Sequence, residues 1–253
     1  LRELLAAAVR GYQNLIVCGG TASGKTTLLR ALALEIGPEE RLITIEDSLE
    51  LDLGRYPELH PDLVALEARE PNVEGEGEVT QADLVRWALR MSPDRVIVGE
   101  VRGEEVLPML NAMSQGNDGS MCTVHAGSSR GAFGKLATYA IQAPERLPLE
   151  ATNLLIANAI NLVVFIHHDR HTGRRTVASV REVTGAEGAL VTSNEVFKPG
   201  PGRRAVPGAP LRAETLDALV DAGFDPGLLE RREGWWDAPD AWADGVGDGQ
   251  ALR

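Results

Sequence analysis

Lysine is scarce in this chain: Lys25, Lys135 and Lys198 are the only three, against twenty-two arginines. Cysteine is scarcer, and Cys18 and Cys122 both fall in apolar, strand-like runs. They read as buried, reduced thiols rather than a disulfide framework. Positive charge is in deficit, with a formal net charge of −12. That balance argues against a dominant nucleic-acid surface, because duplex affinity rests largely on Lys and Arg, and it leaves room only for a local basic patch. No segment has the pattern of a signal peptide or a membrane span. The most apolar stretch, Leu154 to Ile166, is too short to span and carries Asn158 and Asn161, so it is expected in the core.

What is present suits a soluble intracellular enzyme: 253 residues, 43% hydrophobic and 25% charged, enough for one large α/β domain and an appendage. The chain opens at Leu1 inside a helix-like run, without methionine, and is expected to be a piece of a longer protein or to have lost its start.

One of the three lysines stands in Gly19-Gly20-Thr21-Ala22-Ser23-Gly24-Lys25-Thr26, which fits G-x-x-x-x-G-K-[ST] and follows the apolar run Leu15–Cys18. A strand, a tight loop and a helix opening near Lys25 make a phosphate-binding loop. Backbone N–H groups and the helix dipole face the anion, Lys25 reaches the β/γ-phosphates, and the Thr26 hydroxyl faces Mg²⁺.

Further strands are expected at Leu42–Glu46, Arg95–Val98 and Ser120–Val124. Helices are expected over Thr26–Ile36, Gln81–Met91, Glu104–Ser114 and Ser128–Gln142. This alternation specifies βα units around a mainly parallel sheet. Asn161–His167 and Arg175–Val183, flanking Asp169–Gly173, read as a hairpin adding an antiparallel edge. After residue 197 the run Lys198-Pro199-Gly200-Pro201-Gly202-Arg203-Arg204 reads as a linker. Two regions follow: a domain over 1–197, and an appendage over 198–253. The appendage has a helix near Leu211–Ala222 and a flexible acidic tail holding Trp235, Trp236 and Trp242, whose rings either pack on the domain or dock a partner.

Three more segments carry chemistry. In Arg95-Val96-Ile97-Val98-Gly99-Glu100-Val101-Arg102 a strand ends in a carboxylate, which beside a phosphate-binding loop suits an organiser of water or Mg²⁺, with Arg102 following. Glu46, Asp47 and Glu50 follow the strand Leu42–Glu46. They read equally as metal or nucleophile organisers, or as acids around a helix N-cap at Asp47 or Ser48. His125 ends another strand, at the sheet edge where such folds bind ligands. His60, His167, His168 and His171 read as surface or hairpin groups.

Taken together, Gly19–Thr27, Thr44-Ile45-Glu46-Asp47, Val96–Gly103 and Asp118–Ala126 resemble the type II/type IV secretion ATPases. Leu66-Glu67-Ala68-Arg69 and Pro71–Gly75 are similar to the CpaF branch, which serves tight-adherence pili. The resemblance implies a RecA-like P-loop NTPase fold, a hexameric ring of identical subunits, and Mg²⁺-dependent ATP hydrolysis. It also implies an inner-membrane platform partner and a place in the cytoplasm on the inner face of the plasma membrane. It assigns Gly19, Gly20, Thr21, Ala22, Ser23, Gly24, Lys25, Thr26 and Thr27 to the nucleotide and Thr26, Glu46, Asp47, Glu50 and Glu100 to the metal. Lys25, Glu100, His125 and Arg102 become the catalytic set, and Arg69, Arg86, Arg90 and Arg102 candidate arginine fingers. Two departures stand out: Ala22 replaces a glycine common in the family loop, and no N-terminal domain precedes the first helix. Poor hydrolysis is expected from the second. Three other readings stay in view: a nucleotide-gated interaction module, a DNA-transfer ATPase and a small-molecule kinase.

Overall fold

The computed structural model describes residues 1–230; the tail with Trp235, Trp236 and Trp242 lies outside the described residues. The chain begins with α1 (Arg2–Arg10), β1 (Leu15–Gly19), α2 (Lys25–Ala33), β2 (Leu42–Glu46), β3 (Leu63–Glu67), α3 (Gln81–Ala88) and β4 (Arg95–Val101). It continues with α4 (Val106–Ser114), β5 (Met121–His125), α5 (Ser129–Gln142), α6 (Leu149–Ala159), β6 (Leu162–His168) and β7 (Arg175–Glu187). β8 (Leu190–Pro199), β9 (Ala205–Pro207), α7 (Ala213–Asp221) and the single turn α8 (Gly227–Glu230) complete it. These strands form one sheet in the order β3-β2-β4-β5-β1-β6-β7-β8-β9. It is parallel from β3 to β6 and antiparallel from β6 to β9.

The parallel half reads as unbroken apolar runs because helices cover both its faces. In β1, Ile16 and Cys18 face a core shared with α3, α4, α5 and α6, while Leu15 and Val17 face a second core shared with α1, α2 and α7. Asn161, one of the two asparagines in the most apolar stretch, interrupts it between α6 and β6, where its Oδ1 accepts the Asn14 N–H at 2.7 Å. Thr80 opens α3 with a capping box to Asp83.

The expected hairpin is present: β6 and β7 pair antiparallel, and the Asp169 N–H donates to the Arg174 carbonyl at 2.9 Å. Several expectations need correction. The run 198–204 is not a free linker: Lys198 and Pro199 end β8, and a tight turn returns the chain into β9, which pairs with β8. Only a single 3-10 turn, Leu53–Arg55, follows β2, and its N-cap is Asp52, so Asp47 and Ser48 cap no helix; residues 47–50 are bend and coil. β4 runs through Val101, placing Glu100 within the strand rather than beyond it. His60 is buried, not a surface group. β3, α6, β8 and β9 were not expected as separate elements.

Candidate nucleotide-binding site

Parallel pairing brings the carboxyl ends of six strands to one edge, where Gly19 of β1 stands opposite His125 of β5. A Cβ on Gly19 would lie 2.4 Å from Ser23 Oγ and 2.8 Å from the Ile166 carbonyl, so the loop closes only over glycine. Gly24 has φ +92°, the left-handed turn that starts α2. Ala22 has φ +56°, a region costly for a residue with a Cβ, at the position where the family loop commonly holds glycine.

Lys25, the first residue of α2, is buried. Its ammonium donates to the Gly20 carbonyl at 3.3 Å, approaches the His125 ring at 3.3 Å, and lies 3.8 Å from Glu100 Oε1. His125 Nε2 is 2.6 Å from the same Glu100 oxygen. That oxygen nonetheless has no hydrogen-bond partner among the described residues, and both ring nitrogens of His125 lie 3.3 Å from the Lys25 ammonium. Burial lowers the Lys25 pKa from its ordinary value, and Glu100 pulls it back up. Glu100 reaches this position from an irregularity in the β4–β5 ladder between Val98 and Val101. Bulges of this kind re-aim side chains at active sites. Thr123 Oγ1 pins this one by donating to the Gly99 carbonyl at 2.7 Å.

The acidic segment after β2 divides its labour. Glu46 is buried, and its Oε1 accepts the N–H groups of Glu50 and Leu51 at 3.1 and 2.9 Å, folding the segment back. Burial raises its carboxyl above the usual range, against those two hydrogen bonds. A Cβ on Gly99 would stand 2.8 Å from Glu46 Cγ, which explains the glycine where many such enzymes have aspartate. Asp47 pairs with Arg102 at 2.5 Å, and Thr26 Oγ1 donates to Glu50 Oε2 at 3.4 Å. Arg30 donates to the Glu50 carbonyl.

These groups line a cleft of about 1050 Å³ that also takes in Thr21, Ala22, Ser23, Gly24 and Thr27. From the list of expected site residues only Gly19 and Gly20 do not line it. The cleft fits a nucleotide: it pairs a glycine-containing loop and the N-terminus of α2 with the buried cation of Lys25. Ser23 Oγ and Gln81 Oε1, both on its wall, are buried without a hydrogen-bond partner among the described residues. It also fits Mg²⁺. No cluster of three His, Cys, Asp or Glu exists among the described residues, but the Thr26 and Glu50 oxygens lie together, and Mg²⁺ takes one or two protein oxygens beside phosphates and waters.

Sequence reasoning missed Gln81, Thr123, Ile166, Arg175, Thr176 and Val177 on this wall. The hairpin was legible, but nothing in its pattern says that it folds against the loop. Of the candidate fingers, only Arg102 lines the cleft. Arg69 donates to the Gly77 carbonyl at 2.6 Å, and Arg86 pairs with Asp83 and Glu145. The thiols are free and buried: burial pushes Cys18 up to about 12 and Cys122 well above its ordinary value, so neither is a nucleophile.

Residues 1–198 match the family described as type II/IV secretion system protein. The chain belongs to that family. A putative conjugal transfer protein of Mycobacterium tuberculosis is 42% identical over 187 residues, covering 74% of this chain and 51% of that protein. The type IV secretion system protein VirB11 of Brucella suis is 39% identical over 173 residues, covering 68% of this chain and 47% of its own length. The crystal structure of the Brucella suis VirB11 ATPase in complex with sulphate superposes with a TM-score of 0.59 at 36% identity, covering 74% of this chain and 50% of that one. The DotB ATPase of Yersinia pseudotuberculosis agrees in fold, with a TM-score of 0.55 at 19% identity, covering 73% of this chain and 47% of that one. The chain spans about half the length of the curated relatives it matches. Its fold is the RecA-like α/β architecture of the secretion ATPases.

Proposed function

We propose that this member of the family binds ATP with Mg²⁺ and hydrolyses it as a motor subunit that powers pilus assembly or protein secretion. The observation that carries the reading is the meeting of Lys25, Glu100 and His125 at one phosphate-binding loop, with Glu100 Oε1 2.6 Å from His125 and 3.8 Å from Lys25. The loop N–H groups and Lys25 hold the β/γ-phosphates. A phosphate oxygen entering the loop competes with Gly20, His125 and Glu100 for the three N–H bonds of Lys25, which frees Glu100 to orient water. His125, whose ring lies 3.3 Å from Lys25 and 2.6 Å from Glu100, reads the γ-phosphate. Thr26 and Glu50, with Asp47 and Glu46 behind them, would hold Mg²⁺; when bound, the ion neutralises charge on the β- and γ-oxygens.

The family match covers residues 1–198, but β8 runs to Pro199 and β9 and α7 pack on the same sheet and core, so the motor domain extends past residue 197. The Leu66–Arg69 and Pro71–Gly75 segments favour the CpaF branch. The oligomer is a homo-hexameric ring on the inner face of the plasma membrane, docked on a membrane platform protein. Among the described residues no helix is long and apolar enough to cross a membrane. A second reading, DNA transfer, is favoured by the relative described as a conjugal transfer protein and disfavoured by the net charge of −12.

Mg²⁺-dependent ATP hydrolysis, measured with mass by light scattering, tests the proposal. Glu100→Gln should keep nucleotide binding and lower turnover by about 10² to 10⁴. Tight ATP binding by Lys25→Ala would sink the assignment. Binding without turnover in a monomer would point instead to a nucleotide-gated module.

A further inference from the structure

Arg175, the first residue of β7, reaches the phosphate-binding loop from the hairpin, and no motif announces it. Its Nε donates to the Ala22 carbonyl at 2.8 Å, and its Cδ lies 3.4 Å from the place a Cβ on Gly24 would occupy. Three cations line the cleft, Lys25, Arg102 and Arg175, against the carboxylates of Glu46, Asp47, Glu50 and Glu100. Lys25 faces Glu100 at 3.8 Å and Arg102 pairs with Asp47 at 2.5 Å. Among the described residues, the Arg175 side chain makes one hydrogen bond, to the Ala22 carbonyl, and has no carboxylate partner. A polyphosphate entering this cleft meets more acid than base, so an arginine whose charge is not spent on a carboxylate matters to its affinity.

We infer that Arg175 is a further nucleotide-binding residue, supplied in cis by the hairpin, which contacts the phosphate chain on the side of the loop opposite Glu100. The inference rests on the nucleotide reading above. A guanidinium carries five N–H donors in a fixed plane; Ala22 takes the one on Nε and leaves four on the two terminal nitrogens, a geometry suited to phosphate oxygens. The bond to Ala22 anchors the arginine to the loop it serves.

Titration of a fluorescent ADP analogue into the full chain at several salt concentrations tests this. Arg175→Ala should weaken binding about 10- to 100-fold and flatten its salt dependence, as loss of a charge-assisted contact requires. Arg175→Lys should recover part of the affinity, and Arg175→Gln supplies the neutral variant should alanine perturb the fold. Adding Ala22→Gly to Arg175→Ala separates a phosphate contact from a clip on a strained loop. Affinity restored by the glycine overturns the inference; affinity still reduced supports it. Unchanged affinity in Arg175→Ala, with binding lost in Lys25→Ala, overturns it while leaving the nucleotide reading intact. No ADP binding by the unaltered chain overturns both.

Discussion

Strand β4 carries a charged group near each end, and the two are held in opposite ways. At its start Arg95, 1% exposed, grips Glu40 through two bonds of 2.5 and 2.9 Å. It also donates to the Val9 carbonyl at 2.6 Å and lies 4.1 Å over the Tyr12 ring. Gly119 has no side chain because a Cβ there would stand 2.4 Å from the Arg95 guanidinium. Near its end Glu100 shares Lys25 and His125 at mixed distances, 3.8 and 2.6 Å, with about a third of its side chain exposed. A structural charge is saturated by fixed partners, whereas these working charges are shared and can change partners. Buried charge demands the first arrangement, because an unpaired ion in a low dielectric is expensive.

The contrast can be broken at either end. Glu40→Ala leaves Arg95 buried and uncompensated, and should cost about 3–5 kcal/mol in denaturant unfolding. The folded fraction should still bind ADP with unaltered affinity. Lys25→Ala should do the reverse, lowering ADP affinity about 100-fold or more, the scale of charge-assisted phosphate contacts, with little change in stability. A large stability loss there would mean that Lys25 is a structural cation like Arg95.

Gly99, beside Glu100, sharpens the comparison. Its missing side chain leaves space for the Glu46 stem, so Gly99→Ala should cost about 1–3 kcal/mol as an overpacked contact. Combined with Glu46→Ala, the added cost of the methyl should disappear, which a double-mutant cycle of urea midpoints measures. Additive costs would mean that the glycine serves the backbone and not Glu46.

The parallel half of the sheet was legible because most of its strands are predominantly apolar and separated by helical periodicity, as in Leu15–Cys18 and Leu42–Glu46. The site was legible for a related reason: Lys25, Glu46, Glu100 and His125 each end or follow such a strand. The antiparallel edge was less legible. β8 reads Leu-Val-Thr-Ser-Asn-Glu-Val-Phe-Lys-Pro, and its run Val191–Glu195 is half-buried without alternation, so hydrophobic alternation is weak and long-range pairing decides. β3 lies at the other edge with no fully buried residue. Arg95 and Glu40 are 55 residues apart, and nothing local in either segment announces a buried pair. Arg175 escaped notice for the same reason, since its partner Ala22 lies 153 residues away.

His60 tests the rule with a third kind of group, one that is buried and has no saturating partners. It is 4% exposed, and its Nε2 has no hydrogen-bond partner among the described residues. Burial lowers its pKa, so the folded state binds the proton less readily than the unfolded chain. Stability from this residue is therefore fully present above the ordinary histidine pKa and is lost as pH falls through it toward the lowered value. His60→Phe removes that titration, and at pH 5 the variant should gain stability relative to the unaltered chain compared with their difference at pH 8. Urea midpoints of both proteins at the two pH values measure it. A difference that stays constant with pH would mean that His60 finds an acceptor or water on protonation, and that burial without saturation is tolerated here even for a charge.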